Sequence, residues 1–205
     1  APAVLPLLAA GAAAWESTLR ARPFPEPLGA RAGWLLAVPG AALLAVAALA
    51  APLALPLLPE ARLVAWQRTP GVEGSPTERP RPGALPQTHA DQHGWPELAR
   101  AVADAVARLP PGERARAFVY AQNYGEAAAV ELLGAPLRLP PVASGHNQFF
   151  LWGPPAGRDV AVVISDAGED CGGAFAEREL LVRMPPNSWV MPYEDERWIW
   201  ACRKP

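Results

Sequence analysis

The sequence predicts an α/β protein: a membrane helix followed by a small extracytoplasmic α/β domain with a mostly parallel or mixed sheet. Three observations predict it. Residues 32–59 carry no charged side chain. The run Asp159-Val160-Ala161-Val162-Val163-Ile164-Ser165 is unbroken and β-branched, as in a strand buried on both faces. Helix-periodic and strand-like segments alternate after residue 95, the pattern of helices layered on a sheet.

Bulk composition narrows the partners. A chain of 205 residues suits one or two domains. Net charge is -2 and there is no basic tract, so nucleic acid is not expected as a partner. The 26 prolines are far above an ordinary share of roughly 5%. A hydrophobic share of 51% argues against wholesale disorder, so we read the proline as the bias of a GC-rich coding sequence.

The uncharged run at 32–59 exceeds the ~20 residues a helix needs to cross hydrocarbon. It is too long and too far along the chain for a signal peptide. Pro39, Pro52 and Pro56 leave Gly40 to Ala51 as its unbroken middle, and membrane helices tolerate such prolines. Trp34 would mark one interface and Trp66 lies just beyond the other. Residues 1–15 read as the end of a truncated transmembrane helix, and residues 16–31 as a cytoplasmic loop bearing Arg20, Arg22 and Arg31. The second helix then carries residues 60–205 to the periplasmic or extracellular side. The expected location is the cytoplasmic membrane, multi-pass in a longer protein, with the bilayer as one partner. Cys171 and Cys202 both fall on the outer side, where an oxidising compartment permits a disulfide. Two separate buried thiols fit the sequence equally well, and non-reducing mass spectrometry separates the two.

Residues 60–94 read as a linker or extended segment, because Thr69 to Pro86 is rich in Pro, Gly, Ser, Thr and Arg. Residues 95–205 read as the α/β domain. Trp95, Leu98, Val102, Val106 and Leu109 share one helical face, Pro96 suits the first turn, and Pro110-Pro111-Gly112 stops the helix. Ala117 to Ala121 is a strand, Asn123-Tyr124 a turn, and Gly125 to Leu133 a helix. Ala174 to Glu179 suggests a short helix; Leu180 to Met184 and Trp198 to Cys202 are further strands.

The chemistry concentrates between Gln122 and Trp152. Asn123, Tyr124 and Glu126 sit where a strand gives way to a helix, and α/β proteins bind ligands at such strand ends. Asn123 as N-cap with Glu126 as its capping-box partner explains the same residues structurally. Ser144-Gly145-His146-Asn147 holds a serine near a histidine, but no Gly-x-Ser-x-Gly elbow accompanies it. His89, Asp91, His93 and His146 could bind metal. The alternating spacing of the first three suits solvated loop residues better, and no metal ligand is assigned. Phe149, Phe150 and Trp152 read as a packed turn or a sugar-stacking surface. Glu194, in Met191-Pro192-Tyr193-Glu194-Asp195, either pairs with an arginine or faces a ligand.

Several ordered motifs carry a family resemblance. Phe118-Val119-Tyr120-Ala121-Gln122-Asn123-Tyr124-Gly125-Glu126-Ala127, Leu139-Pro140-Pro141, Ser144-Gly145-His146-Asn147, Leu151-Trp152-Gly153-Pro154 and Met191-Pro192-Tyr193-Glu194 together resemble the C-terminal region of bacterial multi-pass GT-C glycosyltransferases. Leu85-Pro86-Gln87, Ala90-Asp91 and Gly94-Trp95 extend the likeness, which covers about residues 30–205. These enzymes are similar to the dolichyl-phosphate-mannose protein mannosyltransferases and the aminoarabinose lipid A transferases. The chain departs from the pattern at Val190, where a cysteine is expected beside the Met-Pro-Tyr-Glu motif.

The resemblance implies transfer of a sugar from a polyprenyl-phosphate donor to a glycan, lipid or protein acceptor outside the cytoplasmic membrane. The catalytic carboxylate of such enzymes usually lies in the first outer loop, so no catalytic residue is assigned here, and a divalent-metal requirement stays open. Asn123, Tyr124, Glu126, Ser144, His146, Asn147 and Trp152 are the expected substrate-binding residues. The alternative is a non-catalytic, membrane-anchored binding or assembly module.

Overall fold

The computed structural model describes residues 4–21, 29–69, 83–166, 168, 171 and 175–203. The chain divides into two compact units, Ala1–Ala51 and Pro52–Pro205. The first contains α1 (Val4–Ala21) and most of α2 (Gly29–Ala54). Helix α1 continues past Trp15 through Glu16 and Arg20, so the expected break at residue 16 falls inside a helix. Helix α2 runs through Pro39 and Pro52 and ends at Ala54, five residues before the expected end of the span. Among the described residues, it is the one helix long and apolar enough to cross a membrane. Its 18-residue stretch Ala37–Ala54 would measure about 27 Å at 1.5 Å per residue, close to a hydrocarbon core of roughly 30 Å.

The second unit is a mixed α/β layer. Its further elements are α3 (Glu60–Gln67), α4 (Gln87–Ala90), α5 (Trp95–Arg108), α6 (Pro111–Ala115), β1 (Ala117–Ala121), α7 (Tyr124–Gly134), β2 (Val142–Ser144), α8 (Gln148–Trp152), β3 (Val160–Ser165), β4 (Glu177–Arg183) and β5 (Trp198–Arg203). The strands form one five-stranded sheet in the order β2-β1-β3-β5-β4. β1 pairs parallel with both β2 and β3, while β5 runs antiparallel to β3 and β4.

The main core follows from the two periodicities. Leu98, Val102, Ala105 and Val106 of α5, with Ala127 and Val130 of α7, cover alternate residues of the sheet: Val119, Val162, Ile164, Ile199 and Ala201. Each large aliphatic side chain buried in this way contributes about 1.5–3 kcal/mol. The opposite sheet face buries Phe118, Ala161, Val163 and Cys202 against Cys171, Phe175 and Trp200. With both faces covered, every residue of β3 is buried, which is why its sequence reads as a continuous apolar run.

Three expectations change. The segment 174–179 is not a helix where it is described: Glu177–Arg183 is an edge strand, pairing from Glu177↔Arg203 to Arg183↔Trp198. Pairing with β5 overrides the helical propensity of Glu-Arg-Glu-Leu, and the exposed charges at its start protect a sheet edge. The stretch 60–94 is not simply extended, since it contains α3 and α4. Leu63, Leu85, Ala90 and Met191 bury one another there, with Leu53 and Leu58 packed alongside. Most of the Pro-rich part, 70–82, lies outside the described residues. Finally, β2 went unread because three residues after Pro140-Pro141 carry no periodicity.

Cys171 and Cys202 form a disulfide across 5.9 Å between Cα atoms, and it closes a loop of 31 residues. A cross-link of that span stabilises by about 3–4 kcal/mol in the chain-entropy account. Cys171→Ser should therefore lower unfolding stability by about 2–4 kcal/mol in urea denaturation. An unchanged midpoint would show that the bond does not constrain the unfolded chain.

Candidate functional site

The strand order places a crevice where chain direction around the sheet reverses. From β1 the chain crosses through α7 to β2 on one side, then returns to β3 on the other. Loops leaving the ends of β1 and β3 thus diverge, and ligands of open α/β sheets bind at such a divergence. Gln122 and Asn123 follow β1, Gly145 and His146 follow β2, and Asp166 follows β3. Because β5 is antiparallel to β3, its first residues reach the same end, and Arg197 precedes it there.

These residues line a cleft of about 720 Å³, within the usual range of small-ligand sites. Tyr124 and Gly125 stand at the start of α7, and the second wall comes from Gln87, Asp91, Trp95, Tyr193 and Glu194. Gln87 Nε2 donates to Tyr193 Oη at 3.3 Å, and Trp95 Nε1 donates to Asp91 O at 2.6 Å. Tyr124 and His146 meet edge to face, with ring centroids 5.2 Å apart. Gly94 turns the chain into α5 at φ 86°, and a Cβ there would come within 3.0 Å of Val190 Cγ1. Glycine is therefore required to bring Trp95 to this wall.

Beneath the cleft lies a buried charge cluster. Arg197 is 6% exposed and reaches Glu126, 1% exposed, at 2.8 Å from Nη2 to Oε1. The angle falls short of a well-formed hydrogen bond, so charge rather than a directed bond holds Oε1. The Arg197 Nη1 group also pairs with Asp166, whose side chain is half exposed. Glu126 N donates to Asn123 Oδ1 at 2.9 Å, the N-cap bond of α7. Glu126 Oε2 accepts from Gln122 N at 3.1 Å, one residue ahead of the N–H used in a standard capping box. Burial pushes the Glu126 carboxyl above its usual value; Arg197 and the backbone at Gln122 and Asn123 pull it part of the way back.

The expected site residues separate into groups. Asn123, Tyr124 and His146 line the cleft. Glu126 is buried under it and serves the cap and the ion pair. Ser144 is buried at the end of β2, where its Oγ accepts from His146 N at 3.3 Å. That bond goes to the backbone and not the imidazole, so no Ser–His dyad forms. Asn147 is exposed beside His146 with φ 53°, a strained value for a residue with a side chain. Trp152 is 68% exposed on α8, away from the cleft lining. Sequence reasoning missed Asp166 and Arg197. Asp166 was findable as the residue closing the clearest strand. Arg197 was not, because its place depends on the antiparallel direction of β5.

The histidines do not converge. His89 is buried and its Nε2 lies 3.1 Å from Leu53 O; a carbonyl only accepts, so this contact requires the Nε2–H tautomer. His93 approaches Glu60 at 3.5 Å, and His146 faces Tyr124. Among the described residues no group of three or more His, Cys, Asp or Glu side chains is placed to hold a metal ion. No family model, curated protein or solved structure matches the chain.

Two outcomes follow from the buried pair. Arg197→Met leaves the Glu126 carboxylate without its cation and should cost about 3–5 kcal/mol in chemical denaturation; a loss under about 1 kcal/mol would show that the pair is not buried in solution. Glu126 takes up its proton at a higher pH folded than unfolded, so it adds stability as pH falls through that raised value toward 4.5. Relative to Glu126→Gln, the wild type should therefore gain stability as pH is lowered from neutrality. A relative loss over that window would reverse the sign of the shift.

Proposed function

We propose that this chain supplies a membrane anchor and an extracytoplasmic substrate-recognition domain to a glycosyltransferase. The enzyme would transfer a sugar from a polyprenyl-phosphate donor to an acceptor outside the cytoplasmic membrane. The observation that carries this reading is the cleft at the strand-end divergence, lined by Asn123, Tyr124 and His146 from the same motifs that bear the family resemblance. The apolar helix α2 supports the anchor. Its last residues belong to the second unit, where Leu53 packs beside the small core and its carbonyl meets His89. Gln87, Asp91 and Tyr193 put one cleft wall on that same region. The cleft's role is binding, and the transfer chemistry belongs to a carboxylate outside this domain.

Phe150, Leu151 and Trp152 favour a second reading. All three are about 70% exposed on α8, an apolar surface of the kind that docks partners. On that reading the domain is a non-catalytic assembly module.

Tyr124→Ala and His146→Ala separate the two readings in the transferase that carries this domain, reconstituted in nanodiscs. Substrate recognition predicts KM raised by about tenfold with kcat nearly unchanged. Unaltered kinetics in both variants would exclude it.

A further inference from the structure

We infer that a second chamber, adjoining the cleft, binds a small apolar ring, with aromatic rings favoured. It encloses about 250 Å³ between the start of α5, the first turn of α7 and the segment from Met184 to Arg197. Trp95, Glu194 and Arg197 belong to both linings, whereas Asn123, Tyr124 and His146 belong to the cleft alone. The chamber is thus defined without the residues that carry the recognition reading of the cleft. Its outer wall is held in place by backbone bonds. Met184 N donates to Arg197 O at 2.8 Å, Asn187 N to Asp195 Oδ1 at 2.7 Å, and Trp189 N to Asn187 Oδ1 at 3.0 Å. A pocket formed in advance does not have to order its walls when a ligand enters.

Size and surface set the class of ligand. An apolar cavity of about 150 Å³ takes up benzene, and sites for drug-sized molecules begin near roughly 300 Å³. About 250 Å³ therefore suits a ring with a small substituent. Most of the surface presented to it is apolar. Leu98 and Val190 are buried, and Trp95, Met184 and the pair Pro185-Pro186 are more open. The Met184 thioether and the Trp95 indole favour an aromatic partner over a saturated one. A polyhydroxylated ring of equal size would lose its water against Leu98, Val190 and the prolines, which replace none of its hydrogen bonds.

The chain has two methionines, and they give the test its own control. Met184 lines the chamber, whereas Met191 is buried in the small core with Leu63, Leu85 and Ala90. The full chain, labelled with 13C at its methionine methyls and held in nanodiscs of deuterated lipid, is titrated with p-cresol and separately with inositol, a ring-sized polyol. The expected result is a saturable shift of the Met184 methyl with p-cresol, no shift with inositol, and a still Met191 methyl throughout. The shift should persist in Tyr124→Ala, which alters only the cleft, and vanish in Val190→Phe, which fills the chamber. Leu98→Phe fills it from α5 and serves should Val190→Phe fail to fold. No saturable shift of Met184, equal movement of both methyls, or an equal response to inositol would overturn the inference. Loss of the shift in Tyr124→Ala, or its survival in a folded chamber-filling variant, would place the ring elsewhere and overturn it too.

Discussion

One buried guanidinium organises the end of the domain that bears the cleft. Arg197 leads into β5, yet its partners come from two other elements: Glu126 in the first turn of α7 and Asp166 just beyond β3. Burial costs Glu126 more than Arg197 returns, as the upward push on its carboxyl shows. A buried pair of this kind is weak as a source of stability and strong as a constraint on geometry, because each charge must find the other or remain unpaired in a poorly solvated place. The position of the α7 N-terminus, and with it Asn123 and Tyr124, is fixed by that requirement.

The remaining walls follow from topology. The crossover from β1 to β2 and the return from β2 to β3 run in opposite directions across the sheet and open a crevice that no side chain has to carve. The antiparallel β5 brings residues from late in the chain to the same end, and the disulfide from Cys202 holds Cys171 against the opposite face of the sheet. The small core of Leu63, Leu85, Ala90 and Met191 adds the last wall, with Tyr193 packed against it. The cleft thus joins residues from position 87 to position 197, and its integrity depends on long-range order.

Legibility in the sequence tracked locality. β1, β3 and α5 were readable because their burial pattern repeats within each segment, and the Asn123 cap because its bond spans three residues. Of β4, Leu180 to Arg183 was readable as a strand, but Glu177 to Glu179 reads as helix because its strand state comes from β5, a non-local partner with no local trace. For the same reason the cleft was half visible. Tyr124 and His146 stand in polar turns, whereas Arg197 and Asp166 acquire meaning only from strand order. Glu126 was visible as a chemical group, but its burial was not, since nothing local announces that an arginine 71 positions later will neutralise it. The exposed Trp152 shows the converse: an aromatic residue inside a motif-rich segment that the fold turns outward.

The claim that one guanidinium holds this end of the domain is tested most directly by a double-mutant cycle between Glu126→Gln and Arg197→Met, read as unfolding free energy at neutral pH. The account predicts strong coupling: once Glu126 is neutral, Arg197→Met should cost less by at least about 1 kcal/mol than it does in the wild type. Equal costs in both backgrounds, with simple additivity, would mean that the two side chains do not depend on each other, and the cleft geometry would need another cause.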